Sequence, residues 1–463
     1  MKNDIPLMLS VSGARGIVGT TMTPEVAKKF AAAFGSQLRE LSGPGSLNVV
    51  LGRDGRASGE DLAKAAMAGL CEVGCDVIDI GVSATPTIGV MINRLSCAGG
   101  MNITASHNPQ EWNGLKCLDG TGAAPVGDEA NAIISRFQDD RIDWVEESSH
   151  GTITSDDTSL SVHMDLVEKL IDPKPIQARN FKVVLDSINA SGCLGGRSLM
   201  KAYGCEFTHV NGEMTGVFAH TPEPTSENLE ELEVAVASEE DVACGFAQDP
   251  DADRLAIIDE CGSYIGEEYT LVLTALRMLQ RNGPGLIAAN LSTSRMIDDV
   301  AAQFPGSRVI RTAVGEANVV ASLRENDGLM GGEGNGGVII PQVCWVRDSL
   351  ASMAIVLDLL ANEERPLSEI IDTLPRYSMI KRKADLSSVG GSSAITEVIQ
   401  SIREAWPGAH FNNSDGIRID LDEGWIHVRP SNTEPIVRLI AEATDAQTAT
   451  AIIDEAADAA GLG

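Results

Sequence analysis

Val49-Val50-Leu51-Gly52-Arg53-Asp54 decides the reading of this chain: a short apolar run breaks at a glycine into charged residues. Such a run suits one buried strand better than a buried helix, and the polar break marks the strand's end. Upstream, Thr23 followed by Pro24 reads as the cap and first turn of an amphipathic helix running to about Leu41. The unit of strand, polar loop and helix recurs. Val183-Val184-Leu185 breaks into Asp186-Ser187, and Leu286-Ile287-Ala288-Ala289 breaks into Asn290-Leu291-Ser292. Three widely spaced units predict three α/β domains of similar plan. After Pro366 the texture changes, and Lys381-Arg382-Lys383 with a Gly/Ser stretch at 390–393 introduces a fourth, smaller domain of different plan. The expected boundaries are 1–155, 156–260, 261–370 and 371–463, with the polar segment Asp143–Thr158 and the turn Asp259–Gly262 as connectors.

Composition narrows the function. With 463 residues and 43% hydrophobic content the chain can bury several cores, while 4% aromatics with abundant Gly and Ala suits α/β layers better than a surface for stacking bases. Sixty-six acidic against 35 basic residues give a net charge of −31. That field repels nucleic acid and anionic membrane, so neither is an expected partner. An anionic substrate would then need a local pocket of converging arginines. Nine scattered cysteines without a C-x-x-C predict reduced thiols in a cytoplasmic protein rather than a disulfide frame or zinc site. The N-terminus has no apolar leader pattern, and no run is long enough for a membrane span.

Chemistry concentrates in a few stretches. Thr104-Ala105-Ser106-His107-Asn108-Pro109, with Asn113-Gly114-Leu115-Lys116, sets a hydroxyl, an imidazole and an amine among turn residues, so Ser106 belongs on an ordered loop. A loop serine near a base or cation is a candidate nucleophile, although adjacent Ser and His usually carry no chemistry. No G-x-S-x-G surrounds it, which argues against a hydrolase elbow. Ser10-Val11-Ser12-Gly13-Ala14-Arg15-Gly16 is a glycine-bracketed loop with one arginine.

Asp249-Pro250-Asp251-Ala252-Asp253-Arg254 lies between apolar segments, and three alternate carboxylates on one loop repel one another unless a cation sits among them. An EF-hand is the rival, with Asp249, Asp251, Asp253 and Glu260 in ligand positions. However, Arg254 stands where that loop needs glycine, and both flanks read as strands, so Mg²⁺ is the expected ion. Gly331-Gly332-Glu333-Gly334-Asn335-Gly336-Gly337 contains a G-x-G-x-x-G, yet the strand Val338-Ile339-Ile340 follows where a dinucleotide site needs a helix. Glu333 and Asn335 instead offer an acceptor and an amide to sugar hydroxyls. Arg429-Pro430-Ser431-Asn432-Thr433-Glu434-Pro435-Ile436-Val437-Arg438 sets hydroxyls, an amide and two arginines around a tight turn, a set suited to phosphate.

In this order the segments resemble the α-D-phosphohexomutase family. T-A-S-H-N-P with N-G-L-K is similar to its phosphoserine loop, D-P-D-A-D-R to its metal loop, G-E-G-N-G-G to its sugar loop and R-P-S-N-T-E-P to its phosphate loop. S-G-A-R-G, G-R-D-G-R-A-S-G and Thr312-Ala313-Val314-Gly315 extend the resemblance over nearly the whole chain. It implies three similar α/β domains with mixed sheets and a smaller α+β C-terminal domain around a central cleft. The implied activity is an isomerase interconverting hexose 6-phosphate and hexose 1-phosphate through a phosphoserine and a sugar 1,6-bisphosphate.

Ser106 would carry the phosphoryl group and, with Asp249, Asp251 and Asp253, hold Mg²⁺. Lys116 is favoured as general base or acid over His107, with Arg15 and Arg254 neutralising charge. Glu333 and Asn335 would hold the O3 and O4 edge of the sugar. Ser431, Asn432, Thr433 and Arg438, with Arg429, would grip the phosphate that is not transferred, and domain closure near residues 366 to 380 would bring them in. An unphosphorylated enzyme would need a sugar 1,6-bisphosphate as activator. Many members acting on glucose or mannose phosphates, and bacterial phosphoglucosamine mutases too, carry serine and histidine where this chain has Asn335 and Gly337. The form here is more similar to phosphoglucosamine mutases of archaeal type, so glucosamine 6-phosphate is the expected substrate. Phosphomannomutase or phosphoglucomutase activity is the alternative, and a non-catalytic sugar-phosphate sensor a distant one. A phosphosugar is the one expected partner, and the sequence does not choose between monomer and dimer.

Overall fold

The three apolar runs are interior strands of three separate sheets: Leu47–Arg53, Lys182–Asp186 and Leu286–Asn290. They are seen in a computed structural model that describes residues 6–43, 47–386, 391–430 and 436–462. In each sheet the run pairs in parallel with a second strand: Gly99–Ile103, Val242–Gln248 and Met330–Glu333 respectively. Each second strand then turns back into an antiparallel partner: Trp112–Asp119, Leu255–Ile258 and Gly337–Ile339. The turning loops are the Ser106, Asp249–Asp253 and Glu333–Asn335 stretches. One hairpin, repeated three times at the C-terminal ends of parallel strands, therefore presents all three sets of polar residues.

The first sheet is the widest, in the order Met8–Ser10, Gly13–Ile17, Trp112–Asp119, Gly99–Ile103, Leu47–Arg53, Cys75–Val82, Ile153–Ser155. Its first helix spans Pro24–Ser42, and Thr23 caps it by accepting from the Val26 N–H at 3.3 Å, as the sequence predicts. The Asp143–Thr158 segment is more than a connector. Ile153–Ser155 pairs in parallel with Cys75–Val82, and Asp76 accepts both the N–H and the hydroxyl of Thr152, so this segment covers what would be an open sheet edge.

The helix Ser349–Glu363 is apolar on every side and buried over most of its length. It packs into one hydrophobic core that draws Val50, Val183, Leu185 and Ile287 from the three sheets. The last sheet, with strands Ser378–Asp385, Ile436–Ala443, Gly424–Pro430, Ile417–Asp420 and His410–Asn412 in spatial order, is antiparallel and encloses a core of its own with helices Ile395–Ala405 and Ala446–Ala459. The first three domains are thus fused through shared apolar packing, whereas the fourth docks by polar contacts. Arg418 donates to the Leu291 carbonyl at 2.6 Å, Ser292 Oγ meets His427 Nδ1 at 2.8 Å, and the Arg295 N–H donates to Glu442 at 2.9 Å. All nine cysteines are unpaired, and only Cys261 is exposed. No helix among the described residues is long and apolar enough to cross a membrane.

Candidate active site

Ser106 sits in its loop with a φ of 51°, a left-handed backbone that costs a serine on the order of 1–2 kcal/mol. Arg56 enforces it. All five guanidinium donors are engaged: Nε on Asp54 at 2.9 Å, Nη1 on the carbonyls of Pro109 and Trp112 at 2.9 and 3.0 Å, and Nη2 on those of Ser106 and Asn108 at 2.5 and 2.8 Å. The Phe218 ring of the second domain stacks 4.7 Å from this guanidinium. Asp54 also accepts from Thr104 Oγ1 at 2.6 Å; burial pushes its carboxyl above the usual range, and Arg56 opposes that rise. A lysine cannot reproduce the five-donor fork. Arg56→Lys should lower kcat about 100-fold with KM little changed, because the loop loses its aim and not its ligands. The urea midpoint should report a loss of about 2–4 kcal/mol from unsatisfied carbonyls.

Asp249, Asp251 and Asp253 are fully buried. Asp249 Oδ1 closes the turn by accepting the N–H groups of Asp253 and Arg254 at 3.0 and 3.1 Å, and Asp251 Oδ2 accepts from Thr85 Oγ1 at 2.6 Å. Asp253 Oδ2 takes Lys116 Nζ at 2.9 Å and Arg347 Nη2 at 2.6 Å. Ser106 Oγ donates to Asp249 Oδ2 at 3.3 Å and lies 3.2 Å from His107 Nδ1. Asp251 Oδ1 and Asp253 Oδ1 are buried with no donor among the described residues. One oxygen from each of the three carboxylates falls within 4.8 Å of the others, so the set fits a hard divalent cation. Burial and then the like charges of Asp253 and Asp251 drive the Asp249 carboxyl well above its ordinary range. Asp253 is as deeply buried, but Arg347, Lys116 and Arg254 hold it well below.

A cavity of about 420 Å³ opens over Ser106, lined by Arg15, Lys116, Arg254 and Arg347. These are the converging cations that an acidic protein needs to admit an anion. Arg15 Nη1 donates to Asn108 Oδ1 at 3.0 Å, which ties it to the serine loop. Burial, then the Arg254 and Arg15 charges, push the His107 imidazole down to about 2, so it is neutral at physiological pH. Burial alone would lower Lys116, but Asp253, Glu316 and Asp251 more than reverse that and keep it an ammonium. The arrangement presents a buried hydroxyl, a cation-ready carboxylate set and positive charge around one cavity, which is the equipment for moving a phosphoryl group.

Family models match the chain in four successive blocks. Phosphoglucomutase/phosphomannomutase alpha/beta/alpha domains I, II and III cover residues 8–142, 161–262 and 266–377, and the C-terminal domain of the same family covers 386–459. The chain belongs to the phosphoglucomutase/phosphomannomutase family. Among its relatives, a probable phosphoglucosamine mutase of Methanopyrus kandleri is 36% identical over 96% of both chains. A phosphoglucomutase/phosphomannomutase of Thermococcus kodakarensis is 38% identical over 94% of both. The crystal structure of a phosphoglucomutase/phosphomannomutase family protein from Burkholderia thailandensis superimposes with a TM-score of 0.83 at 29% identity, covering 98% of this chain and 99% of that one.

In the sugar loop, Gly337 packs closely against a neighbouring side chain. A Cβ on Gly337 would overlap the Arg347 stem. Arg347 therefore occupies the space beside the loop, with ion pairs to Asp253 at 2.6 Å, Glu316 at 3.2 Å and Glu333 at 2.7 Å. Glu333 is pinned from its other oxygen by Asn290 Nδ2 at 3.0 Å and the Gly315 N–H at 3.2 Å, while Asn335 Oδ1 accepts from the Gly337 N–H at 3.2 Å. The Leu255 N–H donates to the Gly336 carbonyl at 3.0 Å, stapling the sugar loop to the strand that leaves the aspartates. Gly336 has a φ of 81°, which a side chain would strain.

Glu268 braces the same loop from behind. Its Oε2 accepts the Ser294 N–H at 3.0 Å, and its Oε1 lies where a side chain on Gly334 would point. Burial raises this carboxyl to about 8, against the pull of the Ser294 N–H. The native state thus holds a proton that the unfolded chain releases near a pH of about 4.3. This contribution to stability is complete below that pH and is lost as pH rises through about 8, with a slope of at most ~1.4 kcal/mol per unit. Glu268→Gln should therefore gain stability relative to wild type as pH is raised from about 5 to 8, read as the difference in melting temperature.

Ser431, Asn432 and Thr433 lie outside the described residues. Arg429 and Arg438 flank them as cross-strand partners, with Lys383 opposite Arg438. Three cations side by side repel unless an anion lies among them. Asp415 carries this corner to the cavity, since its Oδ2 lies 3.0 Å from Arg429 Nε and accepts the N–H of Val314, a cavity residue, at 3.1 Å. Sequence reasoning missed Arg56, Arg347, Glu316 and Thr85. Arg56 lay within the G-R-D-G-R-A-S-G stretch without being given a role, and Arg347 also had a local signal: Asp348 caps the apolar helix, accepting from Leu350 and Ala351 at 2.9 and 3.2 Å, so the preceding arginine stands at a helix mouth.

Proposed function

We propose that this protein is a phosphohexomutase that moves a phosphoryl group between O6 and O1 of a hexose phosphate, with glucosamine 6-phosphate as its preferred substrate. The observation that carries the reading is Ser106 Oγ within 3.3 Å of Asp249, in a cavity ringed by Arg15, Lys116, Arg254 and Arg347. Ser106 carries the phosphoryl group. Its O–P bond breaks as one to the sugar hydroxyl forms, and one proton passes from that hydroxyl to the serine oxygen, so each transfer balances. Lys116 moves that proton. Neutral His107 orients Ser106 Oγ from 3.2 Å, and Arg15 and Arg254 balance charge on the phosphoryl oxygens. Asp249, Asp251, Asp253 and an oxygen on Ser106 would hold Mg²⁺, which would supply charge neutralisation for the transfer and offset the carboxylates that keep Lys116 protonated.

The bisphosphate then turns end for end and returns its other phosphate to Ser106. Glu333 and Asn335 hold the sugar, while Arg429 and Arg438, with Ser431, Asn432 and Thr433, hold the distal phosphate. Closure of the polar-docked fourth domain about residues 366 to 380 completes the site. A sugar 1,6-bisphosphate primes unphosphorylated protein. The free cysteines support a reducing, cytoplasmic setting. The amino sugar is supported by the resemblance of the G-E-G-N-G-G loop and by the name of the Methanopyrus relative, whereas the name of the Thermococcus relative favours glucose and mannose phosphates as the second reading.

The test is a coupled assay of Mg²⁺-loaded, bisphosphate-primed protein on glucosamine 6-phosphate, mannose 1-phosphate and glucose 1-phosphate. The expected result is about a 10-fold or greater preference in kcat/KM for the amino sugar. Equal or better rates with glucose or mannose phosphates transfer the assignment to the second reading, and absence of turnover on all three leaves a sugar-phosphate sensor.

A further inference from the structure

Glu316 opens the helix Glu316–Glu325 directly after Gly315, whose φ of 123° turns the chain into the cavity wall. A carboxylate at a helix N-terminus is electrostatically favoured, so the position itself is stable. Its side chain is 9% exposed. Oε2 faces Arg347 Nε at 3.2 Å and Lys116 Nζ at 3.8 Å, whereas Oε1 is buried and meets no donor among the described residues. The neighbouring sugar-loop carboxylate differs. Both oxygens of Glu333 are already engaged, by Asn290, the Gly315 N–H and Arg347. On this wall of the cavity Glu316 Oε1 is the carboxylate oxygen left over, and an unpaired buried carboxylate oxygen is costly until a donor arrives.

We propose that Glu316 is a specificity-determining residue whose free carboxylate oxygen accepts the ammonium group of a 2-amino-2-deoxyhexose phosphate. The inference rests on the mutase reading and deepens it by naming the group that selects the substrate. An ammonium brings positive charge and several donors to that oxygen. A hydroxyl at the same carbon brings one neutral donor, and an acetamide brings a neutral group of greater bulk. Because the two ends of the sugar exchange places between half-reactions, the ammonium meets Glu316 in one of the two orientations.

The test compares wild type with Glu316→Gln, in the full-length Mg²⁺-loaded protein at about pH 6.5, where an amine of this kind is charged. Glucosamine 6-phosphate, glucose 6-phosphate and N-acetylglucosamine 6-phosphate are assayed for kcat/KM and titrated calorimetrically. The expected result is that the ratio of amino sugar to hydroxy sugar falls about 10- to 100-fold in the variant, in binding as in turnover. Glu316→Asp, which keeps the charge, should restore part of the preference. An unchanged ratio, or an equal loss on both sugars through slippage of Arg347, overturns the assignment. Lack of turnover by wild type on every hexose phosphate overturns the mutase reading instead, and the calorimetric ratio then still decides the role of Glu316.

Discussion

Ser106→Ala should abolish turnover, lowering kcat by on the order of 10⁴-fold or more while hexose phosphate affinity stays within about threefold of wild type. The Thr104 hydroxyl two residues away cannot take over, because its Oγ1 is committed to Asp54 at 2.6 Å. The arginines and Lys116 that attract the phosphate are untouched by the change, which is why affinity and rate should separate. A covalent readout completes the measurement. Wild type incubated with labelled hexose 1,6-bisphosphate should retain label on Ser106, and the alanine variant should retain none. Substantial activity in the variant, or label on another residue, would remove Ser106 from the chemistry.

Stripping divalent metal with a chelator should reduce kcat by about 10³-fold or more, and added Mg²⁺ should restore it. Asp251→Asn should reproduce the loss at ordinary Mg²⁺, because Asp251 Oδ1 has no donor among the described residues and an amide cannot replace its charge. A second readout separates binding from chemistry: Mg²⁺ should raise the melting temperature of wild type more than that of the variant. The physical reason is the stored repulsion among three fully buried carboxylates, which a cation relieves. Full activity in chelator would sink the metal assignment.

The three aspartates also show why parts of the site were legible in advance. Charges at alternate positions between two apolar strands form a local pattern, and local patterns determine turns. The same holds for Ser106 among Asn-Pro and Asn-Gly turns, and for Glu333 and Asn335 among glycines. Each of these loops carries its turn residues in its own sequence. The contacts that aim them are not local. Arg56 reads as an ordinary loop arginine until the chain brings the carbonyls of Ser106, Asn108, Pro109 and Trp112 around it. Arg347 gains meaning only when Asp253, Glu316 and Glu333 converge on it from two other hairpins and a helix start.

The amino-acid sequence by itself determined the repeated strand, loop and helix units, the helix capped by Thr23, the three polar site loops and the smaller C-terminal domain. All of these follow from hydrophobic period, turn residues and caps acting over a few positions. The pairing that makes each loop a hairpin came from the structure. Only the tertiary structure decided that the first three domains share one core around Ser349–Glu363 while the fourth docks through polar contacts. The same tertiary packing set Ser106 against Asp249, placed Arg347 in the space beside Gly337 and left Glu316 with an unpaired oxygen. The physical reason is range. Propensities and turns act between neighbours in sequence, whereas ion pairing and burial depend on which distant segments the packed core brings within a few ångströms of one another.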